Sequence, residues 1–300
     1  MALRKGDMIR VIAPASSFDR ARLYRAIAWL SRQGYRINYS TQIFAKDQYL
    51  AGSDERRVRE LLSAWNDPKV RAIWVARGGY GSMRLFLRRL KLKRLRQPKI
   101  IMALSDLTPF LNFVAHTHGT VTLHGPVLAG DTFLRLSESE RTGLLHKLER
   151  SEETVLHSSK DFVRLRSGNA VGRLWGGNLA MIQSTLRTPL EIPFVGSLLF
   201  LEEVFEPPYR IDRMVTQLAL SGLLRKIRGL LLGDFLNPDG KLYSRYWLER
   251  WFLPLIPKGV PVLYGLKAGH GKNKVILPIG GRCRIDLGGK RLHLSPLVRD

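Results

Sequence analysis

Short apolar runs alternate with amphipathic segments through the first half of the chain, and this pattern restricts the possible folds more than any other feature. The runs MIRVIAPAS, RAIWVA and KIIMALS have the length and apolar character of buried strands. Before the second run, residues 20–33 and 53–66 carry apolar side chains at helical spacing. Strands that alternate with helices predict a mainly parallel sheet with helices on both faces, and such sheets place functional sites at the carboxyl ends of their strands.

The pattern changes near residue 137. Residues 137–165 begin polar and charged and are interpreted as a connector that contains a helix. Over residues 166–300 the apolar runs are shorter, and pairs of glycines separate the last of them, which is typical of antiparallel hairpins. The sequence therefore predicts an α/β protein. An N-terminal domain, residues 1–136, holds a mostly parallel sheet flanked by helices, and a smaller C-terminal domain, residues 166–300, is rich in β-strands.

The chain is strongly basic, with 49 Lys and Arg residues against 25 Asp and Glu residues, which gives a net charge of +24. The densest basic stretch is residues 84–99, which contains no acid. It could bind an anionic partner such as nucleic acid, a membrane surface or an acidic cell-wall fragment. The favoured interpretation is the exposed face of a helix with leucines packed behind it. Few aromatic residues lie in the stretch, which makes nucleic acid an unlikely partner.

The compartment is predicted from several absences in the sequence. Cys283 is the single cysteine, so an internal disulfide and a cysteine-based metal site are both excluded. Asp7 and Arg10 interrupt the N-terminal apolar stretch, so we expect no signal peptide. No apolar run approaches the roughly 18 residues that span a bilayer. We expect a cytoplasmic protein without membrane contact.

Three apolar runs end on residues suited to acyl transfer: Ser105, Glu202 and His270. A nucleophile, a carboxylate and an imidazole are the parts of a serine-hydrolase relay. Ser105 stands where a strand turns into a helix, which exposes its hydroxyl, although the local sequence ALSDL is not G-x-S-x-G. Taken alone, Ser105 is better explained as a helix N-cap, and His270, between two glycines, as an exposed loop histidine.

The carboxylate is ambiguous from the residues alone. Glu203 follows Glu202, and in a strand consecutive side chains point to opposite faces, so only one of them can face a site. Glu206 is a third candidate. An ion pair of Glu202 with Arg210 or Arg213 is an equally good structural explanation.

Two further groups of residues could form functional sites. His116, His118 and His124 cluster in sequence and suggest a metal site, but no acid or cysteine joins them at ligand spacing, so we expect no metal. The glycine loop of residues 76–82, ARGGYGS, does not match a phosphate-binding pattern. We expect its N–H groups to face the Ser105 turn and help to hold an oxyanion.

Several of these segments together resemble a known family. They are RGGYGS at 77–82, SDLT at 105–108, GGNL at 176–179, LEE with PPYRIDRM within 201–214, and GHG at 269–271. In this order they are similar to the LD-carboxypeptidases, serine peptidases that also include the microcin C self-immunity peptidases. The resemblance extends over nearly the whole chain. Glu203, where the family usually has Asp, and the basic excess depart from it.

The resemblance implies a site and a fold. The triad of the family falls on Ser105, Glu202 and His270, with the first acid of the pair as the catalytic one. Its oxyanion donors correspond to the backbone N–H groups of Asp106 and Gly79. The N-terminal α/β domain would carry the nucleophile, and the β-rich C-terminal domain would carry the Glu and the His. A homodimer is common in the family.

The resemblance also implies an activity. The expected reaction is release of the terminal D-alanine from murein tetrapeptides in peptidoglycan recycling, without a metal or cofactor. Arg77, Tyr80 and Arg210 are the candidates for substrate binding, the two arginines for the free carboxylate beside the cleaved bond. The alternative within the same chemistry is hydrolysis of peptidyl-nucleotide conjugates, and a less favoured alternative is a basic nucleic-acid-binding protein.

Overall fold

The computed structural model describes residues 2–88, 90–271 and 275–298. The elements of the first half are β1 (Met8–Ile12), α1 (Arg20–Arg32), β2 (Arg36–Asn38), α2 (Asp54–Asn66), β3 (Val70–Val75), α3 (Arg84–Leu87), β4 (Ile100–Ala103), α4 (Thr108–His118), β5 (Thr122–His124), α5 (Asp131–Leu134) and α6 (Glu138–Glu149). The later elements are β6 (Thr154–His157), β7 (Val163–Arg166), β8 (Asn169–Asn178), α7 (Leu179–Ser184), β9 (Leu198–Val204), α8 (Pro208–Leu220), β10 (Gly229–Leu236), α9 (Arg245–Phe252), β11 (Val262–Tyr264), β12 (Leu277–Ile279), β13 (Arg282–Asp286) and β14 (Arg291–Leu294).

The first sheet has six strands in the order β12-β5-β4-β3-β1-β2. The five strands from the first half are parallel to one another, as predicted. Helices cover both faces, and two separate apolar clusters fill the space between them and the sheet. The N-terminal half is thus the predicted parallel α/β layer structure.

Local sequence signals explain where the helices of this half begin. The Asp19 side chain accepts a hydrogen bond from Arg22 N at 3.0 Å and caps α1. Ser53 caps α2 in the same way, and Asp54 and Glu55 occupy its first turn, where the helix dipole favours acids.

The second sheet has eight strands in the order β6-β14-β13-β8-β9-β10-β11-β7. Its central strands β8, β9, β10 and β11 are parallel, whereas the strands on either side of them pair antiparallel. Helices α7, α8 and α9 pack against it around a large apolar core. The C-terminal half is β-rich, as predicted, and its sheet is mixed rather than purely antiparallel.

The chain passes between the two halves more than once. Strand β12 pairs antiparallel with β5 in the first sheet, although it lies far along the second half. Leu297 and Val298 also return to the core of the first half. Strand β6 lies within the expected connector of residues 137–165 and β7 overlaps its end, but both strands belong to the second sheet. The domain boundaries at residues 136 and 166 stay a prediction.

The basic stretch of residues 84–99 is not the helix that we expected. Helix α3 ends at Leu87, and the described residues between Leu90 and Lys99 form neither helix nor strand. Arg89 lies outside the described residues. Trp65 Nε1 donates a hydrogen bond to Lys93 O at 2.8 Å, and Lys99 Nζ donates to Ala64 O at 2.9 Å. The stretch is therefore held as a loop by the end of α2, with Leu90 buried beneath it.

None of the helices formed by the described residues is long and apolar enough to cross a membrane.

Candidate active site

Ser105 lies at the tip of a sharp turn between a buried strand and a helix. Strand β4 ends at Ala103, Leu104 is extended, and Ser105 begins a short 3₁₀ turn that leads into α4. Its φ of 65° is in the left-handed region, which is uncommon for residues other than glycine and marks a constrained position. The N-cap positions of the turn and of α4 are Leu104 and Leu107, so Ser105 is not a helix cap. This is the strand–turn–helix geometry of a nucleophile elbow without its usual glycines.

Gly78 lies directly against this serine. A Cβ atom built on Gly78 would stand 2.9 Å from Ser105 Cβ and 3.3 Å from Ser105 Oγ. Its φ lies outside the glycine-favouring range, so the glycine is needed for space rather than for backbone conformation. The glycine loop therefore packs against the Ser105 turn.

The Asp106 side chain holds this loop in place. Its carboxylate accepts hydrogen bonds from Ser82 N at 2.8 Å and from Gly81 N at 3.2 Å, and Ser82 Oγ donates to Asp106 O at 2.5 Å. Burial raises the pKa of Asp106, and the N–H donors oppose that effect. In the described part of the chain, the backbone N–H groups of Gly79 and Asp106 donate to no other residue. Neither N–H group is therefore used in the hydrogen bonding of the described residues.

Glu202 and His270 form a direct hydrogen-bonded pair. Glu202 lies on β9 and is completely buried, and its Oε2 atom is 2.7 Å from His270 Nδ1. A Cβ atom on Gly269 would come within 2.8 Å of Glu202 Oε2, so a glycine is required for the loop to approach the carboxylate this closely. Because Nδ1 faces Glu202, the Nε2 atom of His270 is left to exchange a proton with a nucleophile.

Each partner changes the pKa of the other. Burial alone would raise the pKa of Glu202, but the charge of His270, the neighbouring imidazole of His124 and the hydrogen bond to His270 together outweigh burial and hold that pKa below its usual range. Burial alone would lower the pKa of His270, but the carboxylate of Glu202 outweighs it and raises that pKa. The imidazolium form of His270 is therefore stabilised, which is what a relay needs when the base takes up a proton.

The ambiguity between the neighbouring acids is removed by the strand geometry. Glu203 points to the opposite face, where its carboxylate accepts from Asn178 Nδ2 at 2.8 Å, Ala180 N at 2.8 Å and Val204 N at 2.9 Å. Burial, together with the charge of Glu202, raises the pKa of Glu203 to about 7. Glu203, on β9, therefore holds the start of α7 and forms no hydrogen bond with His270 among the described residues.

The third candidate acid, Glu206, pairs with an arginine rather than with His270. Glu206 Oε2 forms an ion pair with Arg210 at 3.2 Å, so the alternative pairing of Arg210 with Glu202 is not formed. Of the three acids, Glu202 alone pairs with His270 among the described residues.

Hydrogen bonds join the serine helix to the strand beside Glu202. Asn112 on α4 donates from Nδ2 to Gly176 O at 2.8 Å and accepts at Oδ1 from Gly176 N at 3.0 Å. Thr108 Oγ1 accepts from Asn178 N at 3.0 Å. These bonds fix the start of α4, a few residues after Ser105, to the end of β8.

The same end of β8 neighbours the carboxylate, because Asn178 pairs in register with Glu202 on β9. The structure thus brings the Ser105 turn and the Glu202–His270 pair to one region between the two sheets. In the described residues no hydrogen bond joins Ser105 to His270. Nucleophile-to-base hydrogen bonds are often long without substrate and form in the substrate complex.

Two buried residues lie at this site that the sequence did not lead us to expect there. His124, at the carboxyl end of β5, is fully buried with Nε2 at 3.8 Å from Glu202 Oε1. Asp234 on β10 accepts a hydrogen bond from Gly271 N at 3.0 Å and so anchors the loop that carries His270. Burial raises the pKa of Asp234 to about 7, and the charge of Glu202 adds to the effect. Both residues lie at or near carboxyl ends of parallel strands, and that position was the available signal.

The three clustered histidines do not come together. His116 packs edge-on against Trp175, His118 against Trp65 and His124 against Phe200. Across residues 2–88, 90–271 and 275–298, no group of three or more His, Cys, Asp or Glu side chains is arranged to hold a metal ion.

The three expected substrate-binding residues make contacts with residues outside the triad. Arg77 Nη1 donates to Ser17 O at 2.6 Å. Tyr80 is half exposed and packs edge-on against Tyr49 at a ring distance of 5.6 Å. Arg210 lies on the first turn of α8 and is tied to Glu206. Arg77 and Tyr80 therefore belong to the glycine loop, whereas Arg210 follows the strand of Glu202.

The close approach of Gly78 gives a first prediction. The substitution Gly78→Ala places a methyl group against Ser105, so we expect kcat/KM to fall by about 10²-fold or more as the serine and the neighbouring N–H groups are displaced. The matched control is Gly143→Ala on α6, where a Cβ would meet no atom within 4 Å. This control should keep its activity and gain up to about 1 kcal/mol in stability. Equal activity of the two variants would contradict the close packing.

Comparison with known proteins agrees with this architecture. Residues 9–125 match the LD-carboxypeptidase N-terminal domain, and residues 171–285 match the LD-carboxypeptidase C-terminal domain. A probable murein peptide carboxypeptidase of Bacillus subtilis is 35% identical over 297 residues, which cover 96% of this chain and 92% of the relative. The murein tetrapeptide carboxypeptidase of Pseudomonas aeruginosa is 32% identical over 297 residues, with 95% and 94% covered.

Solved structures show the same fold. The muramoyltetrapeptide carboxypeptidase from Oxalobacter formigenes is 32% identical, has a TM-score of 0.80 and covers 96% of this chain and 97% of its own. The wild-type apo form of the microcin C7 self-immunity protein MccF has a TM-score of 0.85 at 21% identity, with 98% and 97% covered, and this similarity concerns the fold alone. From the two matched domains and the identities above, we conclude that the chain belongs to the LD-carboxypeptidase family of serine-type peptidases.

Proposed function

We propose that this protein removes the terminal D-alanine from murein tetrapeptides by cutting the bond between an L-centre and a D-amino acid. The names of the murein peptide relatives support this substrate class. The observation that carries the proposal is the 2.7 Å hydrogen bond between His270 Nδ1 and the fully buried Glu202, beside the Ser105 turn.

In the proposed reaction, His270 is the general base. Its Nε2 atom takes the proton of Ser105 as the hydroxyl oxygen attacks the carbonyl carbon of the scissile bond. Glu202 keeps the imidazole in the tautomer with a proton on Nδ1 and stabilises the imidazolium that forms. The same imidazolium then gives its proton to the departing amine, so that D-alanine leaves and an acyl-enzyme remains. Water, activated by His270, releases the shortened peptide.

The negative charge that develops on the carbonyl oxygen needs donors. We assign this role to the backbone N–H groups of Asp106 and Gly79, which lie at the Ser105 turn and in the loop packed against it. The Asp106 side chain holds that loop by its bonds to Gly81 and Ser82, so the donors are positioned before the reaction begins.

The substrate ends in a free carboxylate next to the cleaved bond, and a cation should bind it. Arg77 and Arg210 are the proposed cations, with Tyr80 as a contact on the glycine loop. Arg210 would have to leave Glu206 or share it. The net charge of +24 favours the approach of acidic murein peptides and should make the association rate fall with salt.

The test is incubation of the protein with free and UDP-linked murein tetrapeptides, with mass spectrometry to follow the product. We expect loss of one alanine from each peptide and no change in peptides that lack the D-residue. Turnover of an aminoacyl-adenylate mimic without turnover of the tetrapeptide would instead indicate the nucleotide-conjugate activity. Salt-sensitive nucleic-acid binding without any turnover would overturn the proposal.

The raised pKa of His270 gives a prediction for the pH profile. The base acts only when neutral, so kcat/KM should rise with pH through the pKa of His270 in the free enzyme. Because Glu202 stabilises the charged form, the midpoint should lie above the ordinary value of about 6.5. The measurement is kcat/KM from pH 5 to 9 at constant ionic strength. A midpoint at or below about 6.5 would contradict the pairing of His270 with Glu202.

The setting of the reaction is also part of the proposal. The family resemblance supports a homodimer, and the single cysteine, which is buried and unpaired, suits a cytoplasmic protein. Light scattering of the purified protein over a range of concentrations would test the dimer.

A further inference from the structure

Three buried polar atoms at the Glu202–His270 pair lack hydrogen-bond partners. They are Nδ1 and Nε2 of His124 and Oε1 of Glu202, and none of them forms a hydrogen bond with a described residue. Both side chains are completely buried, with no exposed surface. Buried polar groups in folded proteins are nearly always hydrogen-bonded, so an unsatisfied cluster at a candidate active site needs an explanation.

The unpaired atoms face one another. His124 Nε2 lies 3.8 Å from Glu202 Oε1, which is beyond hydrogen-bond length. Shortening the gap by less than about 1 Å would give an ordinary N–H···O bond. A neutral imidazole with its proton on Nε2 would then donate to the carboxylate, whereas the other tautomer would place two lone pairs face to face. The ionised Glu202 therefore selects the Nε2–H form of His124.

The neighbouring strands place the imidazole of His124 close to the carboxylate of Glu202. His124 pairs in register with Ala103 on β4, two residues before Ser105. Its ring packs edge-on against Phe200, two residues before Glu202 on β9, at a ring distance of 5.1 Å. His124 thus contacts the strand that leads to the acid and neighbours the strand that leads to the nucleophile, so a small shift between the two sheets would change its distance to Glu202.

We propose that His124 is a positioning residue that donates from Nε2 to Glu202 Oε1 when substrate draws the two sheets together. Each oxygen of Glu202 then has an imidazole partner, His270 on Oε2 and His124 on Oε1, so the carboxylate cannot rotate away from His270. His124 contacts neither Ser105 nor the substrate in this account. The inference rests on the proposed function, because it concerns how His270 is oriented for the reaction.

The test compares His124→Met with His124→Gln. The two side chains have similar length, but only Gln offers an N–H donor to Glu202. We expect His124→Met to lower kcat by about tenfold to a hundredfold with KM nearly unchanged, as for other partners that orient a functional histidine. We expect His124→Gln to restore most of that loss. Thermal melts of both variants report whether packing has changed.

A second readout does not depend on turnover. NMR of the Nδ1 proton of His270 in histidine-labelled protein, with a bound substrate analogue, reports how firmly Glu202 is held. We expect a sharp downfield signal in the wild type and in His124→Gln, and a shifted or broadened signal in His124→Met. This readout separates the two proposals if it is recorded with a tetrapeptide analogue and, separately, with the aminoacyl-adenylate mimic, since the coupling between His124 and His270 is then visible even if murein tetrapeptide is not the substrate.

Two results would overturn the inference. One is wild-type kcat together with an unchanged His270 signal in His124→Met. The other is an equal loss in the Met and Gln variants, which would assign His124 to packing alone. If His124→Met does not fold, His124→Phe replaces it, since it keeps a ring against Phe200 and removes both nitrogens.

Discussion

Ser105→Ala is expected to lower kcat by about 10⁴- to 10⁶-fold, because the reaction loses its nucleophile while the rest of the site remains. Ser105 lies on a constrained turn with a φ of 65° and makes no hydrogen bond to His270 in the described residues. Its hydroxyl therefore contributes little to stability, and the variant should fold and bind tetrapeptide as the wild type does. The measurements are kcat from alanine release and Kd from calorimetry.

The control for this variant is Ser139→Ala, which removes an exposed hydroxyl on α6 far along the chain from the site. It should keep full activity. Wild-type kcat in the Ser105→Ala protein would contradict the serine mechanism. A loss of activity together with a loss of the fold would show that Ser105 has a structural role. The calorimetric Kd distinguishes this second outcome from loss of chemistry.

Glu202→Gln is expected to lower kcat by about 10⁴-fold, the scale seen when the acid of a serine relay becomes an amide. The neutral amide cannot stabilise the imidazolium of His270 and can favour the wrong tautomer. The pKa of His270 should also fall, since Glu202 is what raises it above its ordinary value. The acid limb of the residual activity should therefore move to lower pH than in the wild type.

The matched control is Glu249→Gln on α9, which removes a carboxylate paired with Arg245 at the surface. Surface ion pairs of this kind contribute little, so activity and pH profile should be unchanged. Combined with Ser105→Ala, the Glu202 substitution should cause almost no further loss, because residues of one relay act as a unit. Fully additive losses would mean that Ser105 and Glu202 act independently.

The parallel sheet could be predicted from the sequence because each of its strands is a local apolar run followed by a helix with its own start signals. Strand β12 could not be placed in that way. Its sequence LPI lies among the short strands of the second half, yet it pairs with β5. Partner choice between strands far apart in sequence depends on the packing of whole layers. The basic stretch was misread as a helix because its leucines follow helical spacing, whereas hydrogen bonds from Trp65 and Lys99 hold it as a loop.

The candidate site was predictable to a similar extent. Ser105, Glu202 and His270 each follow an apolar run, and the family resemblance joined them into one site. The choice between Glu202 and Glu203 needed strand alternation, which the structure shows directly. From the sequence, His124 is a candidate metal ligand only. Its contact with Glu202 could not be predicted, because it depends on how β5 of the first sheet packs against β9 of the second. Asp234 lies inside an apolar strand with no local signal of its partner Gly271.

The most direct test of the proposed serine relay is a crystal structure with a stem-tripeptide aldehyde that ends at the L-centre of the scissile bond. The relay of Ser105, His270 and Glu202 predicts a tetrahedral adduct on Ser105 Oγ, with its oxygen accepting from Gly79 N and Asp106 N. It also predicts His270 Nε2 within about 2.6–3.2 Å of the serine oxygen, with Glu202 still bound to Nδ1. An aldehyde bound without a bond to Ser105, or a His270 ring too far away for even a bridging water, would contradict it.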